Sequence, residues 1–126
     1  MARIFPFQAY CYDPSKVCPD DVLTQPYDKI SPEMQERYYA ASPYNLIPVE
    51  KGKSFPTDSP ANNVYSRAAQ SLNQWIDQGI LLQDSSSGIY VYAQEYVAPG
   101  NTERKVRRGF IALGQLEDYS DRKSVV

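Results

Sequence analysis

The stretch Leu23-Thr24-Gln25-Pro26-Tyr27-Asp28-Lys29-Ile30-Ser31-Pro32-Glu33 sets a phenol, a carboxylate and a hydroxyl between two prolines. Proline fixes its own backbone and pushes the residue before it into an extended conformation, so Tyr27 and Asp28 stand on a stiff loop. Ser31-Pro32-Glu33 then reads as a helix start: the serine oxygen caps an early N–H, proline suits the first helical position, and glutamate suits the positive end of the macrodipole. Free N–H groups at such a start bind anions. Asp28 repels phosphate alone but fits an ammonium group or a phosphate-bound Mg²⁺. The chemistry this points to is a small-molecule pocket for an amino acid or for ATP or ADP with Mg²⁺, lined by Tyr27, Asp28 and Ser31, with Asp28 as the one candidate catalytic group. The plainer reading carries more weight: a loop whose tyrosine packs while its aspartate and serine bond to the backbone.

Two other groups carry polar chemistry. Tyr44 and Asn45 form a similar turn after the same helix, and both turns line one pocket if they meet. The run Arg104-Lys105-Arg107-Arg108 is first a solvated hairpin edge that discourages strand-to-strand aggregation. Its second reading is phosphate binding, with Arg108 beside Gly109 best placed to offer a guanidinium fork.

The absence of histidine from all 126 residues excludes a Ser-His-Asp triad, a Cys-His pair and any histidine base or metal ligand within the chain. No residue set suggests a metal site. Cys11 and Cys18, separated by six residues, match neither a zinc knuckle nor a CxxC pair and read as two reduced thiols. A net charge of -2 and a pI near 5.1 give no general attraction to nucleic acid or anionic lipid. No apolar run approaches the ~20 residues that span a bilayer, and MARIFPFQAY has no secretory apolar core. The expectation is a cytoplasmic protein that takes a small molecule.

These groups need elements to position them. The length suits one domain, and an apolar fraction of 42% is that of a globular protein. Ten prolines and eleven tyrosines imply many loops and partly wet surfaces. Arg3–Tyr10 reads as an edge strand, 13–28 as loop and short extended pieces, and Pro32–Ser42 as a helix. Leu46-Ile47-Pro48-Val49 reads as a short strand. The strongest helix starts at Ser59-Pro60, sets Tyr65, Ala68, Ala69, Leu72, Trp75 and Ile76 on one buried face, and closes at Gly79. Trp75 is its core anchor. Ile89–Tyr96 and Lys105–Leu116 should pair as an antiparallel hairpin across Pro99-Gly100-Asn101-Thr102. Ser124-Val125-Val126 looks like a frayed tail or the start of another strand. The predicted class is α+β, with a small mixed or antiparallel sheet, two main helices and a C-terminal β-hairpin.

The order PFQAY, QPYDKISPE, SPYNLIPVE, YSRAAQSLNQWIDQGIL, GIYVYAQEY and RRGFIALGQLEDY resembles the N-terminal region of an uncharacterised prokaryotic family, domain-of-unknown-function family 1015. The resemblance covers nearly the whole chain. It implies a longer protein, about three times this length, of which this is the N-terminal part, with a His-Glu segment beginning just past Val126. The family pattern has a second proline where Gln25 stands and an aliphatic residue where Lys29 stands, so the loop here is more polar and less rigid. A distant similarity of the full family to partition-protein nuclease-like domains, sulfiredoxin and free-serine kinases implies a small-molecule phosphotransferase. The alternative is a non-catalytic ligand-binding or interaction module. An incomplete sheet would expose apolar surface and self-associate through unpaired strand edges.

Overall fold

The computed structural model of the chain describes residues 2–118. Its class is α+β, as the sequence implies, but among the described residues the strands form three two-stranded ladders in place of one sheet. The chain divides into two compact units: Tyr10–Leu82, and the stretch before Tyr10 together with that after Leu82. The C-terminal residues 119–126, with Ser124-Val125-Val126, lie outside the described residues.

The first unit is mainly helical. The expected N-terminal edge strand is split into β1 (Ile4–Phe5) and β2 (Tyr10–Tyr12), with β1 belonging to the second unit. Pro6 supplies the reason, since it has no N–H to offer a ladder. After β2 come α1 (Pro19–Val22), a 3₁₀ turn at Tyr27–Lys29, α2 (Pro32–Ala41), α3 (Ile47–Lys51), α4 (Val64–Asp77) and β3 (Leu81–Gln83), which hydrogen-bonds to β2. Val17, Val22, Trp75, Ile80 and Leu81 form the buried cluster, with Tyr12, Tyr44, Leu46, Val49 and Ile76 against it. Trp75 anchors it as expected, and its ring lies 6.3 Å from that of Tyr12. The Tyr12 hydroxyl donates to the Tyr44 carbonyl at 2.6 Å, and burial pushes its phenol up to about 12.

Three expectations fail here for identifiable reasons. Residues 13–28 contain a short helix, because Pro19 opens α1 with Asp20 and Asp21 in its first turn. Leu46–Val49 lies mostly in helix α3, not in a strand: the Asn45 Oδ1 accepts the Ile47 N–H at 2.9 Å, and Pro48 falls in the first helical turn, where a missing N–H costs nothing. Helix α4 starts at Val64, not Pro60. Asn63 caps it by accepting the Tyr65 and Ser66 N–H groups at 2.9 and 3.0 Å, while Ser66 Oγ accepts the Asn63 N–H at 2.8 Å. Ser59 instead closes a turn with Asn62. The apolar stripe of α4 is correspondingly narrower: Trp75 is buried, whereas Tyr65 is 84% exposed and Leu72 is also open to solvent.

Helix α4 ends as predicted at Gly79, whose φ of +70° suits only glycine without strain, and Ile80 N–H reaches back to the Trp75 carbonyl at 2.9 Å. The loop before α4 is held by Arg67. Its two terminal nitrogens fork onto both oxygens of Asp58 at 2.9 and 3.1 Å, reach the Lys53 carbonyl at 2.8 Å, and its guanidinium stacks 5.0 Å from Phe55. That pairing holds the Asp58 carboxyl below its ordinary range and the guanidinium above its own.

In the second unit β1 pairs antiparallel with β6 (Leu113–Gly114), and Phe7 bridges Gly88. The expected hairpin is β4 (Tyr90–Val97) with β5 (Arg104–Ile111), in register from Tyr90 with Ile111 to Val97 with Arg104. Gly100, at φ +82°, makes its turn. The Tyr90 hydroxyl donates to Asp84 and accepts the Ala9 N–H at 2.9 Å, and its ring packs 5.0 Å from Phe7.

Two expectations for stability follow. Trp75→Ala should cost about 3–5 kcal/mol by urea denaturation, the range for truncating a buried large aromatic. Because the folded carboxyl of Asp58 titrates lower than the unfolded one, it binds fewer protons in the fold; its stabilising effect is present above the unfolded value and fades as pH drops through the folded one. Asp58→Asn should therefore lower Tm at neutral pH and flatten the decline of Tm below pH ~4, measured by circular dichroism melts across that range.

Candidate functional site

The loop singled out by its chemistry is tied into the helical unit from three sides. Tyr27 N–H donates to Glu50 Oε1 at 3.1 Å, Lys51 Nζ donates to the Ile30 carbonyl at 2.8 Å, and the Gln25 N–H reaches the Tyr38 hydroxyl at 3.2 Å. Glu50 and Lys51 both belong to α3, so that short helix fixes the loop. Tyr27 is 64% exposed and Asp28 projects to solvent with no hydrogen-bonding or charged partner among the described residues.

The anion-binding capacity of the α2 start is small. Pro32 has no N–H, Ser31 Oγ takes that of Met34 at 3.3 Å, and the Ser31 carbonyl takes that of Gln35 at 2.9 Å. The Glu33 N–H is left uncommitted among the described residues, but a carboxylate side chain hangs from the same residue. Among the described residues no three acidic or cysteine side chains converge to hold a metal ion. Both cysteines are exposed and unbonded to each other.

The second predicted turn is built differently. Asn45 is 1% exposed: its Nδ2 donates to the Asp21 carbonyl at 2.8 Å while its Oδ1 serves Ile47. Both ends of the amide are spent within the fold, so Asn45 is a structural residue and offers no group to a pocket. Tyr44 is half-buried against the core and gives its carbonyl to Tyr12. The loop at Tyr27–Ser31 is bonded to the C-terminal end of α3, whereas the Tyr44-Asn45 turn leads into its N-terminal end and is bonded to α1 and β2. Among the described residues no hydrogen bond joins the two turns.

Two concavities of the helical unit lie elsewhere. One cleft of ≈ 350 Å³ is lined by Asp20, Gln25, Met34, Arg37, Tyr38 and Ala41. Another of ≈ 270 Å³ lies beside the Arg67 clamp, between Tyr39, Pro48, Gly52, Lys53, Phe55 and Ser71. Its cations are engaged: Lys53 pairs with Glu36 at 2.6 Å and sits 4.7 Å over Tyr39, and Arg67 is committed to Asp58. Neither cleft includes Tyr27, Asp28 or Ser31.

Arg108 belongs to the second unit, on β5. Alternation along the strand splits the basic run between two faces. Arg104 and Arg108 share one with Val91, Val97, Val106 and Phe110; Lys105 and Arg107 share the other with Tyr92 and Tyr96. Arg104 is paired with Glu95 at 3.0 Å. A Cβ built on Gly109 meets nothing within 4 Å, so the glycine marks an open depression of ≈ 390 Å³ that Arg107, Arg108, Tyr92, Phe110 and Ile111 border.

The ribbon of β4 and β5 is the most conspicuous surface of this unit. Val91 is 83% exposed and Phe110, directly opposite it, 61%; Val97, Val106 and Ile111 are also largely open to solvent, on both faces of the ladder. Sequence reasoning placed the hairpin correctly but passed over this. The signal was present: in Tyr90–Val97 both the odd and the even positions carry apolar or aromatic side chains, the pattern of a strand covered on both faces.

No helix among the described residues is long and apolar enough to cross a membrane. No curated protein and no solved structure matches the chain. One family model matches residues 4–126, the described ladders and helices included. Its description is "Protein of unknown function (DUF1015)", and the chain belongs to that family.

Proposed function

We propose that this chain acts as a protein-interaction module whose working surface is the β4–β5 ribbon. The observation that carries the reading is the exposure of Val91 and Phe110 as a cross-strand pair within a two-stranded ladder that carries apolar or aromatic side chains on both faces. An isolated two-stranded hairpin is at best marginally stable in water, and a further strand or a covering layer is what gives such a ladder independent stability. Contiguous exposed apolar surface rimmed by charge marks contact sites on soluble domains. Here the charge is supplied by Arg104, Lys105, Arg107 and Arg108, which stand beside the apolar side chains on the two faces.

The phosphotransferase reading draws less support. It needs convergent donors for phosphate and a carboxylate held near Mg²⁺, but the Met34 and Gln35 N–H groups of the α2 start are taken by Ser31 and Asp28 lines neither cleft.

Two measurements separate the readings. A photo-crosslinking phenylalanine analogue placed at Val91 should give discrete protein adducts in cells, lost when Phe110→Lys is added, while the same probe at the equally exposed Tyr65 gives none. Amide-resolved NMR of the whole chain with Mg²⁺ plus ATP or ADP, then with L-serine, should leave Tyr27, Asp28, Ser31 and Arg108 unshifted. Saturable shifts at those residues, or an absence of adducts from Val91, would overturn the module reading.

A further inference from the structure

We infer that the cleft lined by Asp20 and one face of α2 binds a free α-amino acid with an aliphatic side chain, its carboxylate on Arg37 and its ammonium on Asp20. The site lies wholly within the helical unit, Tyr10–Leu82, and does not depend on the interaction reading above.

The cleft has a volume of ≈ 350 Å³, at the small end of the range for small-molecule sites. Met34, Arg37, Tyr38 and Ala41 recur at the spacing that sets them on one face of α2 and form one side of it. Asp20 comes from the first turn of α1, and Gln25 from the loop that follows, which is tied to the same face of α2 by its N–H on the Tyr38 hydroxyl at 3.2 Å. The cleft therefore holds one carboxylate and one guanidinium. Neither has a hydrogen-bonding or charged partner among the described residues, and they do not pair with each other. Arg67 and Arg104, by contrast, are each spent on a carboxylate of the fold.

Opposite charges that share a cleft without meeting select a ligand that carries both. A phosphate or a dicarboxylate would suit Arg37 and be repelled by Asp20, a simple amine would suit Asp20 and be repelled by Arg37, and a hard divalent cation would find one carboxylate where it needs several oxygens. A zwitterion satisfies both at once. The guanidinium offers a carboxylate two parallel N–H groups, and Asp20 accepts from an ammonium. With a charge-assisted bond of about 2.8 Å at each end, an α-amino acid bridges protein charges about 8 Å apart, the scale of this cleft. The Tyr38 hydroxyl, which accepts from Gln25, keeps its own proton for a further acceptor. The rest of the lining sets the side-chain class: Met34 and Ala41 offer apolar surface, and a thioether adapts to branched and straight chains alike.

Amide-resolved NMR of the whole chain titrated with L-leucine should give saturable shifts centred on Asp20, Gln25, Arg37 and Tyr38, with a dissociation constant between about 0.1 and 10 mM. Isocaproate, the same molecule without its ammonium, and isoamylamine, without its carboxylate, should each bind about tenfold more weakly, as should L-serine, which lacks the aliphatic chain. Two variants at exposed, unpartnered positions assign the charges. Asp20→Asn should erase the preference for leucine over isocaproate while keeping that over isoamylamine, and Arg37→Gln should do the reverse, a crossed pattern that a change in folding would not produce. Absence of saturable shifts up to about 50 mM leucine, shifts centred outside the cleft, equal binding of either truncated ligand, or preferences untouched by the two variants overturn the inference.

Discussion

The helical unit depends on one buried amide. Asn45 ties the end of α1 to the start of α3 through its Nδ2 and Oδ1, and Leu46 N–H adds a bond to the Val22 carbonyl at 2.8 Å. Each of these groups would otherwise be a polar atom left in an apolar setting, at a cost of about 1–3 kcal/mol apiece. With the bonds made, Val22 and Ile47 can be fully buried on either side of the turn, and Tyr12 finds an acceptor in the Tyr44 carbonyl next to them. Helix α3, fixed at its start in this way, then delivers Glu50 and Lys51 to the loop at Tyr27–Ile30. The position of the most reactive-looking loop in the chain thus follows from a side chain that does no chemistry itself.

That chain of dependence explains what was legible in the sequence. Helix α2, the Gly79 terminus, the Trp75 anchor and the β4–β5 hairpin are all encoded locally, by a serine cap, a positive-φ glycine, apolar periodicity and alternating strands around a turn. The errors fall where two local signals compete. Ser59-Pro60 and Asn63 are both respectable helix starts, and Asn63 prevails because Ser66 completes the reciprocal cap. Pro48 is compatible with an edge strand and with a first helical turn, and only the tertiary bonds of Asn45 decide between them.

The site residues show the same limit. Tyr27, Asp28 and Ser31 stand on a loop stiffened by flanking prolines, as their neighbours imply, yet whether Tyr44 and Asn45 join them depends on packing that no dipeptide signal contains. The sequence also cannot show that four basic residues in a strand divide between faces until the strand's pairing is fixed. Conversely, the apolar character of both faces of β4 can be counted from residues 90–97 alone, because strand geometry assigns alternate residues to opposite sides.

The pairing of Ile4 with Gly114 joins points about 110 residues apart, and in an unstructured chain closing such a loop would cost about 4 kcal/mol of entropy before any contact formed. The β2–β3 ladder changes that calculation. By setting Tyr10–Tyr12 beside Leu81–Gln83, folding of the helical unit brings its own two ends together, so that only the arm from β1 to β2 and the arm from β3 to β6, which contains the β4–β5 hairpin, remain to be closed. This long-range pairing becomes, in kinetic terms, a much more local one once the middle of the chain is in place. This predicts an order of assembly in which the terminal strands join last.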